Sequence, residues 1–323
     1  MGCGLIKKTA QQQEKKIVVA YVTSWSSVIP DPQYVTHINY AFGHVNKTFD
    51  GIRIDKEKRL QKICQLKEQS PALKVLLSIG GWGSGGFSEM ARDSVLRRSF
   101  AADCRRVITQ FNLDGVDIDW EYPTRPVAKI AASPDDTKHY TLLMQDIRAA
   151  IGKDKLLTLA SLASAKYIDF PSISGYVDYV CIMSYDMGGA AKHHSALFRS
   201  DKAGGITAAE AVNAHLKAGM PRNKLVMGMP FYGRGNGDLP RFLDYSKIEQ
   251  LDGYHQAWDD VAKVPYLSNA DNVFVFGYEN PQSIAIKCQY IVEQGLLGGM
   301  YWEYAGDSAE GILRKTVYNN LRP

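Results

Sequence analysis

Three acidic residues spaced two apart, Asp117, Asp119 and Glu121, are the part of this sequence best equipped for chemistry. They sit in the run Asp114-Gly115-Val116-Asp117-Ile118-Asp119-Trp120-Glu121-Tyr122-Pro123. Side chains of an extended strand alternate between its faces. The three acids therefore share one face, and Val116, Ile118 and Trp120 share the other. Residues two apart stand ~6.6 Å apart along the backbone, a gap that side chains can close. Like charges this near push at least one carboxyl pKa upward, so the row should retain a proton. A carboxylic acid still protonated near neutrality can donate to a glycosidic leaving oxygen. Glu121 is last in the row and has the longest arm, which makes it the candidate acid. A divalent metal held by the three acids is a second reading, but metals usually draw ligands from several elements, and no other acidic cluster points there by sequence. A purely structural row is the third, at the cost of burying unpaired carboxylates.

The elements that must position this row are short apolar runs at residues 17–23, 36–43, 74–79, 115–121, 156–162, 179–183, 224–230 and 299–304. Most are dense in Val, Ile, Leu and Tyr, as strands buried on both faces should be. Helical periodicity lies between them at residues 88–111, 137–151 and 283–294, with Pro281 near the last helix's start and Gly295 at its end. The short segment after the fifth run leaves room only for a small helix near residues 168–174. Eight strands alternating with helices predict an α/β chain folded as a (β/α)8 TIM barrel over residues 17–323. The connection after the seventh strand is too long for a simple loop. It predicts a small α+β insertion at about residues 235–279. The first sixteen residues are polar and are expected to be a disordered tail. In a barrel the apolar face of the acidic strand packs on the outer helices. The acids then point inward and toward the C-terminal mouth, where this fold carries its catalytic residues.

Composition narrows the function classes. The net charge is +4, but Lys7, Lys8, Lys15 and Lys16 against Glu14 place +3 of it in the first sixteen residues, leaving the rest at +1. Such a nearly neutral body does not provide the basic field that nucleic acid demands. No run of 18 apolar residues is present, so no membrane-spanning helix is expected. The five cysteines show no metal-ligand spacing, and their odd, wide distribution gives no disulfide framework. Cys64, Cys104, Cys181 and Cys288 lie among apolar neighbours and are expected to be buried free thiols. The opening Met1-Gly2-Cys3-Gly4 reads either as a trimmed start or as the remnant of a lipoprotein signal, with Cys3 as a lipid anchor.

At this point the acidic run becomes recognisable. Asp114-Gly-Val-Asp117-Ile-Asp119-Trp-Glu121 resembles the DxxDxDxE motif of glycoside hydrolase family 18, the chitinases and their relatives. Ser78-Ile79-Gly80-Gly81-Trp82 resembles the family's SxGG motif, and Met183-Ser184-Tyr185-Asp186 its MxYD motif. Pro230-Phe231-Tyr232-Gly233-Arg234, Tyr278-Glu279-Asn280-Pro281 and Met300-Tyr301-Trp302 are similar to family segments as well, so the likeness runs from Ile17 to the C-terminus. The resemblance implies substrate-assisted retention, in which the sugar's own N-acetyl oxygen is the nucleophile. On it, Glu121 protonates the leaving oxygen, Asp119 holds the acetamido N–H, Asp117 tunes Asp119, and Tyr185 orients the acetamido carbonyl. It also implies Trp302 as the floor under the scissile sugar and Trp82 as the platform for its neighbour. Tyr21, Phe42 and Met183 then line the pocket, and Asp186, Tyr232 and Arg234 give polar contacts. Ser78 and Asp114 are expected to support the site, and Gly80 and Gly81 to allow close backbone approach.

The expected activity is hydrolysis of β-1,4-linked N-acetylglucosamine chains by a secreted or bacterial-envelope monomer that needs no cofactor or metal. An endo-β-N-acetylglucosaminidase on N-glycans, a cell-wall glucosaminidase and a chitinase-like lectin are the alternatives, the last disfavoured by the presence of Glu121. The insertion after the seventh strand lacks much of the first half that longer chitinases carry, which predicts a shallower, more open cleft.

Overall fold

The structure, a computed structural model, describes residues 15–189 and 191–323. Cys3 and nearly all of the polar tail lie outside the described residues. Eight parallel strands form the barrel: β1 (Ile17–Thr23), β2 (His37–Val45), β3 (Lys74–Gly80), β4 (Gly115–Asp119), β5 (Leu156–Leu162), β6 (Tyr179–Met183), β7 (Leu225–Pro230) and β8 (Gly298–Trp302). Each pairs with its neighbour, and β1 pairs with both β2 and β8, which closes the sheet. A short strand, Ile52–Ile54, returns antiparallel on the end of β2 and extends it into a hairpin above the mouth.

The helices differ from expectation in two places. The periodic stretch at 88–111 is two helices, α1 (Phe87–Arg92) and α2 (Ser94–Phe111). Asp93 is extended between them and accepts hydrogen bonds from the amides of Val95 (2.7 Å) and Leu96 (3.0 Å). A carboxylate satisfying orphan first-turn donors starts a helix even where the apolar period runs on. After β1 there is no full helix, only the three-residue turn Pro32–Tyr34. The expected small helix is Phe170–Ile173, and the helix after the insertion, α3 (Pro281–Glu293), begins at Pro281 itself, capped by Asn280.

The core divides as the strand alternation requires. Val116, Ile118 and Trp120 of the β4 run are buried in the outer cluster between barrel and helices. Trp120 stacks on Phe87 (5.3 Å, 13°) and meets the edge of Tyr140 (5.7 Å). Fully burying such side chains is worth ~1.5–3 kcal/mol each, which locks the opposite face of β4 inward. A smaller cluster that includes Tyr21, Phe42, Tyr179, Cys181 and Met300 fills the barrel itself. Of the expected buried thiols, Cys104, Cys181 and Cys288 are buried, whereas Cys64 is only half-buried on the helix Glu57–Gln69.

Beyond β7 lies a five-stranded antiparallel sheet with a 3-10 segment at Tyr245–Gln250. Its order in space is Leu243–Asp244, Tyr232–Gly235, Phe274–Gly277, Val264–Ser268, His255–Asp259. The long connection at residues 184–207 packs on this sheet. His193 sits edge-on to Tyr266 (5.6 Å) and Phe274 (5.0 Å), with its Nε2 3.2 Å from Asp259. At the junction the fully buried Lys287 of α3 pairs with Glu279 and donates to the Ser195 carbonyl, and the Ser195 hydroxyl also donates to Glu279. This buried ion pair at the start of α3 thus ties the helix to the connection that carries Ser195.

Candidate active site

The acidic row enters the barrel through β4. Asp117 is completely buried and satisfied from three other strands, its neighbours β3 and β5 and, across the barrel, β1. Its Oδ2 accepts from the Tyr21 hydroxyl (2.8 Å) and the Ser78 hydroxyl (2.8 Å), and its Oδ1 from Thr158 Oγ1 (2.6 Å). Burial raises its pKa, and those hydrogen bonds only partly offset the rise. Asp119 is 4% exposed, with a buried Oδ1 that has no hydrogen-bond partner among the described residues. Burial pushes its carboxyl well above the usual range, and the charges of Glu121 and Asp117 add to this. Glu121 stands two residues past the end of β4. Burial drives its pKa up to about 7, opposed by a hydrogen bond with Tyr122 and reinforced by Asp186. Asp119 and Glu121 together therefore hold a proton at neutral pH.

Two glycines make room for the row. A Cβ on Gly80 (φ +127°) would stand 2.0 Å from the Asp119 carbonyl oxygen, and one on Gly81 (φ +92°) 2.6 Å from the Phe42 ring. Only glycine fits either place. Ser78 supports Asp117 directly, whereas Asp114 lies at the strands' opposite ends, where it accepts from the Val75 amide (2.9 Å) and pairs with Lys67 (3.1 Å).

Asp119 and Glu121 open into a cleft of about 1160 Å³. The cleft gathers Tyr21, Phe42, Trp82, Met183, Tyr185, Asp186, Tyr232, Arg234 and Trp302 from the ends of six strands. Asp117 is not on its wall but directly behind it. Trp302 stacks on Phe42 (5.7 Å, 22°) and tilts against Tyr21 (5.7 Å), whose hydroxyl is committed to Asp117. Tyr185 faces the edge of Tyr232 at 6.2 Å. Burial, then Tyr232 and the carboxylates of Asp119, Glu121 and Asp186, keep the Tyr185 hydroxyl protonated far above neutral pH, so it remains a donor. Trp82 is 66% exposed, with Tyr122 at 6.5 Å as its aromatic neighbour. Burial pushes Asp186 upward, but His194 and the forked Arg234 (2.7 and 2.6 Å) outweigh it and hold the carboxyl well below its ordinary range.

Sequence reasoning missed Trp25, His44, Asp55, Ser84, Tyr122 and Phe242, all on the cleft wall. Each lies on a loop or strand extension without periodicity. Tyr122, next to Glu121, and Trp25, two residues past β1, carried the one available signal, their place at a strand's C-terminal end. Among the described residues, no group of three or more His, Cys, Asp or Glu is arranged to hold a metal ion. No described helix is long and apolar enough to cross a membrane.

A (β/α)8 barrel holding a protonatable acid pair among aromatic faces in its mouth has the frame of a glycoside hydrolase. The chain belongs to the glycosyl hydrolases family 18, whose family model matches residues 17–307. It is 32% identical to chitinase A1 of Niallia circulans over 97% of its own length, and spans 59% of that relative's length. It is 30% identical to probable chitinase 2 of Drosophila melanogaster, covering 92% of this chain and 73% of that one. Among solved structures, a family 18 N-acetylglucosaminidase from Paenibacillus barengoltzii superposes with a TM-score of 0.87 at 34% identity, covering 94% of this chain and 99% of that chain.

Proposed function

We propose that the protein hydrolyses β-1,4-linked N-acetylglucosamine oligomers and polymers with retention of anomeric configuration, using the substrate's acetamido group as nucleophile. The observation that carries this is the state of the cleft's carboxyl groups. Glu121, with a pKa of about 7, is poised as an acid beside the buried Asp119. The other carboxyl groups on the described cleft wall, Asp55 and Asp186, are ion-paired to Arg53 and Arg234. No free carboxylate therefore faces the Glu121 strand from across the cleft, as a two-carboxylate mechanism with an enzyme nucleophile requires.

In the proposed sequence Glu121 gives its proton to the glycosidic oxygen as the bond to the anomeric carbon breaks. The acetamido oxygen attacks that carbon and forms an oxazolinium ion. Asp119, whose Oδ1 has no hydrogen-bond partner among the described residues, accepts the acetamido N–H, and the Tyr185 hydroxyl donates to the acetamido oxygen. Glu121, now a carboxylate, takes a proton from water as the water opens the ring, which restores the starting state. Asp117 stays fixed by its three hydroxyl donors and keeps Asp119 oriented.

Relatives named chitinase and N-acetylglucosaminidase support the sugar. Proton NMR of chitotetraose hydrolysis tests the mechanism. The first-formed product should be the β-anomer, and a thiazoline analogue of the oxazolinium ion should inhibit. Initial release of the α-anomer overturns the proposal. Mass analysis of products from chitin oligomers, peptidoglycan and a high-mannose glycoprotein in parallel tests the substrate, and cleavage confined to either of the latter two overturns the chitin assignment.

A further inference from the structure

Trp82, the most exposed aromatic ring on the cleft wall, is carried by a segment that is otherwise nearly all glycine: Gly80-Gly81-Trp82-Gly83-Ser84-Gly85-Gly86. Gly80, Gly81, Gly83 and Gly86 have positive φ, and a Cβ on Gly83 would find nothing nearer than 3.8 Å. Such a chain loses much conformational entropy when ordered. The backbone bond from the Ser84 amide to the Gly81 carbonyl (3.0 Å) closes the turn on itself, and the Gly81 amide bonds the Asp119 carbonyl (2.9 Å), which anchors only its base. The Trp82 indole makes no hydrogen bond among the described residues.

One side chain on the tip reaches outward. The Ser84 hydroxyl lies 2.8 Å from His44 Nδ1, and His44 Nε2 lies 3.0 Å from Asp55 Oδ2. Asp55 pairs in turn with Arg53, and its amide bonds the Phe42 carbonyl (3.0 Å). The carboxylate only accepts, so it fixes the proton on Nε2 of the neutral ring and leaves Nδ1 to accept from Ser84. The hairpin of β2 with Ile52–Ile54 thus holds the tip of the glycine-rich loop through this side-chain relay.

We infer that His44 and Ser84 are positioning residues that latch the Trp82 loop to the β2 hairpin and so pre-order the sugar platform. Neither residue takes part in bond breaking. The latch acts by removing loop entropy before substrate arrives, so its loss weakens oligomer binding and leaves the chemical step intact. This inference rests on the proposed function for its kinetic consequence but not for its structural one.

Two measurements test it. With 5-fluorotryptophan incorporated into the full chain, and the Trp82 resonance assigned by its absence in Trp82→Phe, the Ser84→Ala and His44→Ala variants should sharpen and shift that signal while the other four tryptophan signals stay put. An unmoved Trp82 signal overturns the latch, whether or not the protein proves to be a glycosidase. In kinetics on chitotetraose, Ser84→Ala should raise KM about five- to tenfold with kcat within twofold, and Ser84→Thr, which keeps the hydroxyl, should restore KM. In a Trp82→Ala background the same substitution should have no further effect on KM. An equal effect with and without Trp82, or a loss in kcat alone, overturns the inference.

Discussion

At the scale of single residues, the chemistry turns on where one proton resides. Glu121 titrates near 7 in the fold against 4.5 for an unperturbed glutamate, because the carboxylate form is poorly solvated there. The proposed mechanism needs the protonated form, so kcat/KM should fall as pH rises through about 7, and a pH profile of the free enzyme checks it. Stability follows the same proton. Between pH 4.5 and 7 the folded chain keeps a proton that the unfolded chain has released, so the Glu121 contribution to stability declines across that window and is flat above it. Glu121→Gln removes the dependence. The melting-temperature gap of the variant over the wild type should therefore widen from pH 4.5 to pH 8. The same variant should lose at least ~100-fold in kcat on a chitobioside, in line with the loss of a general acid. Unchanged turnover sinks the assignment of the acid.

At the scale of elements, two local devices hold the row in place. Gly80 lets β3 run against the β4 carbonyl, and Asp93 restarts the helix that backs it. Gly80→Ala should cost about 3 kcal/mol or more, since both the φ and the 2.0 Å approach forbid a Cβ. Asp93→Ala should cost about 1 kcal/mol, the ordinary loss of an N-cap. Urea unfolding separates the two. The strands were legible in sequence because doubly buried strands are continuous apolar runs, and the acid row because period-two spacing has few other uses. The break at Asp93 was written in the same stretch, but apolar period alone passes over it. The hairpin beyond β2, the loop at residues 184–207 and the latch of Ser84 to His44 were not legible. The hairpin's return strand is only three residues long, the contacts of the loop and the latch join positions tens of residues apart, and nothing periodic announces any of them.

At the scale of the whole molecule, the added sheet is joined to the barrel through the buried Lys287–Glu279 pair and Ser195. Lys287→Met leaves Glu279 charged, buried and unpaired, and should destabilise the fold by about 3–5 kcal/mol. Adding Glu279→Leu should recover most of that loss, and denaturant midpoints of the single and double variants check both. A double variant no more stable than the single one contradicts the pair's role. The expected α/β barrel and its mouthward acids are therefore only part of the design; the rest lies in how an appended layer is sewn on.

The sulfur atoms carry a further consequence. Cys104 sits behind the barrel, Cys181 within it and Cys288 on the helix that meets the added sheet, each sealed from water, while Cys64 stays partly accessible. They form a built-in set of labels. Under a pulse of alkylating reagent in mild denaturant, simultaneous modification of the three sealed thiols reports a body that opens as one, and early reaction of Cys288 alone reports a seam that parts first.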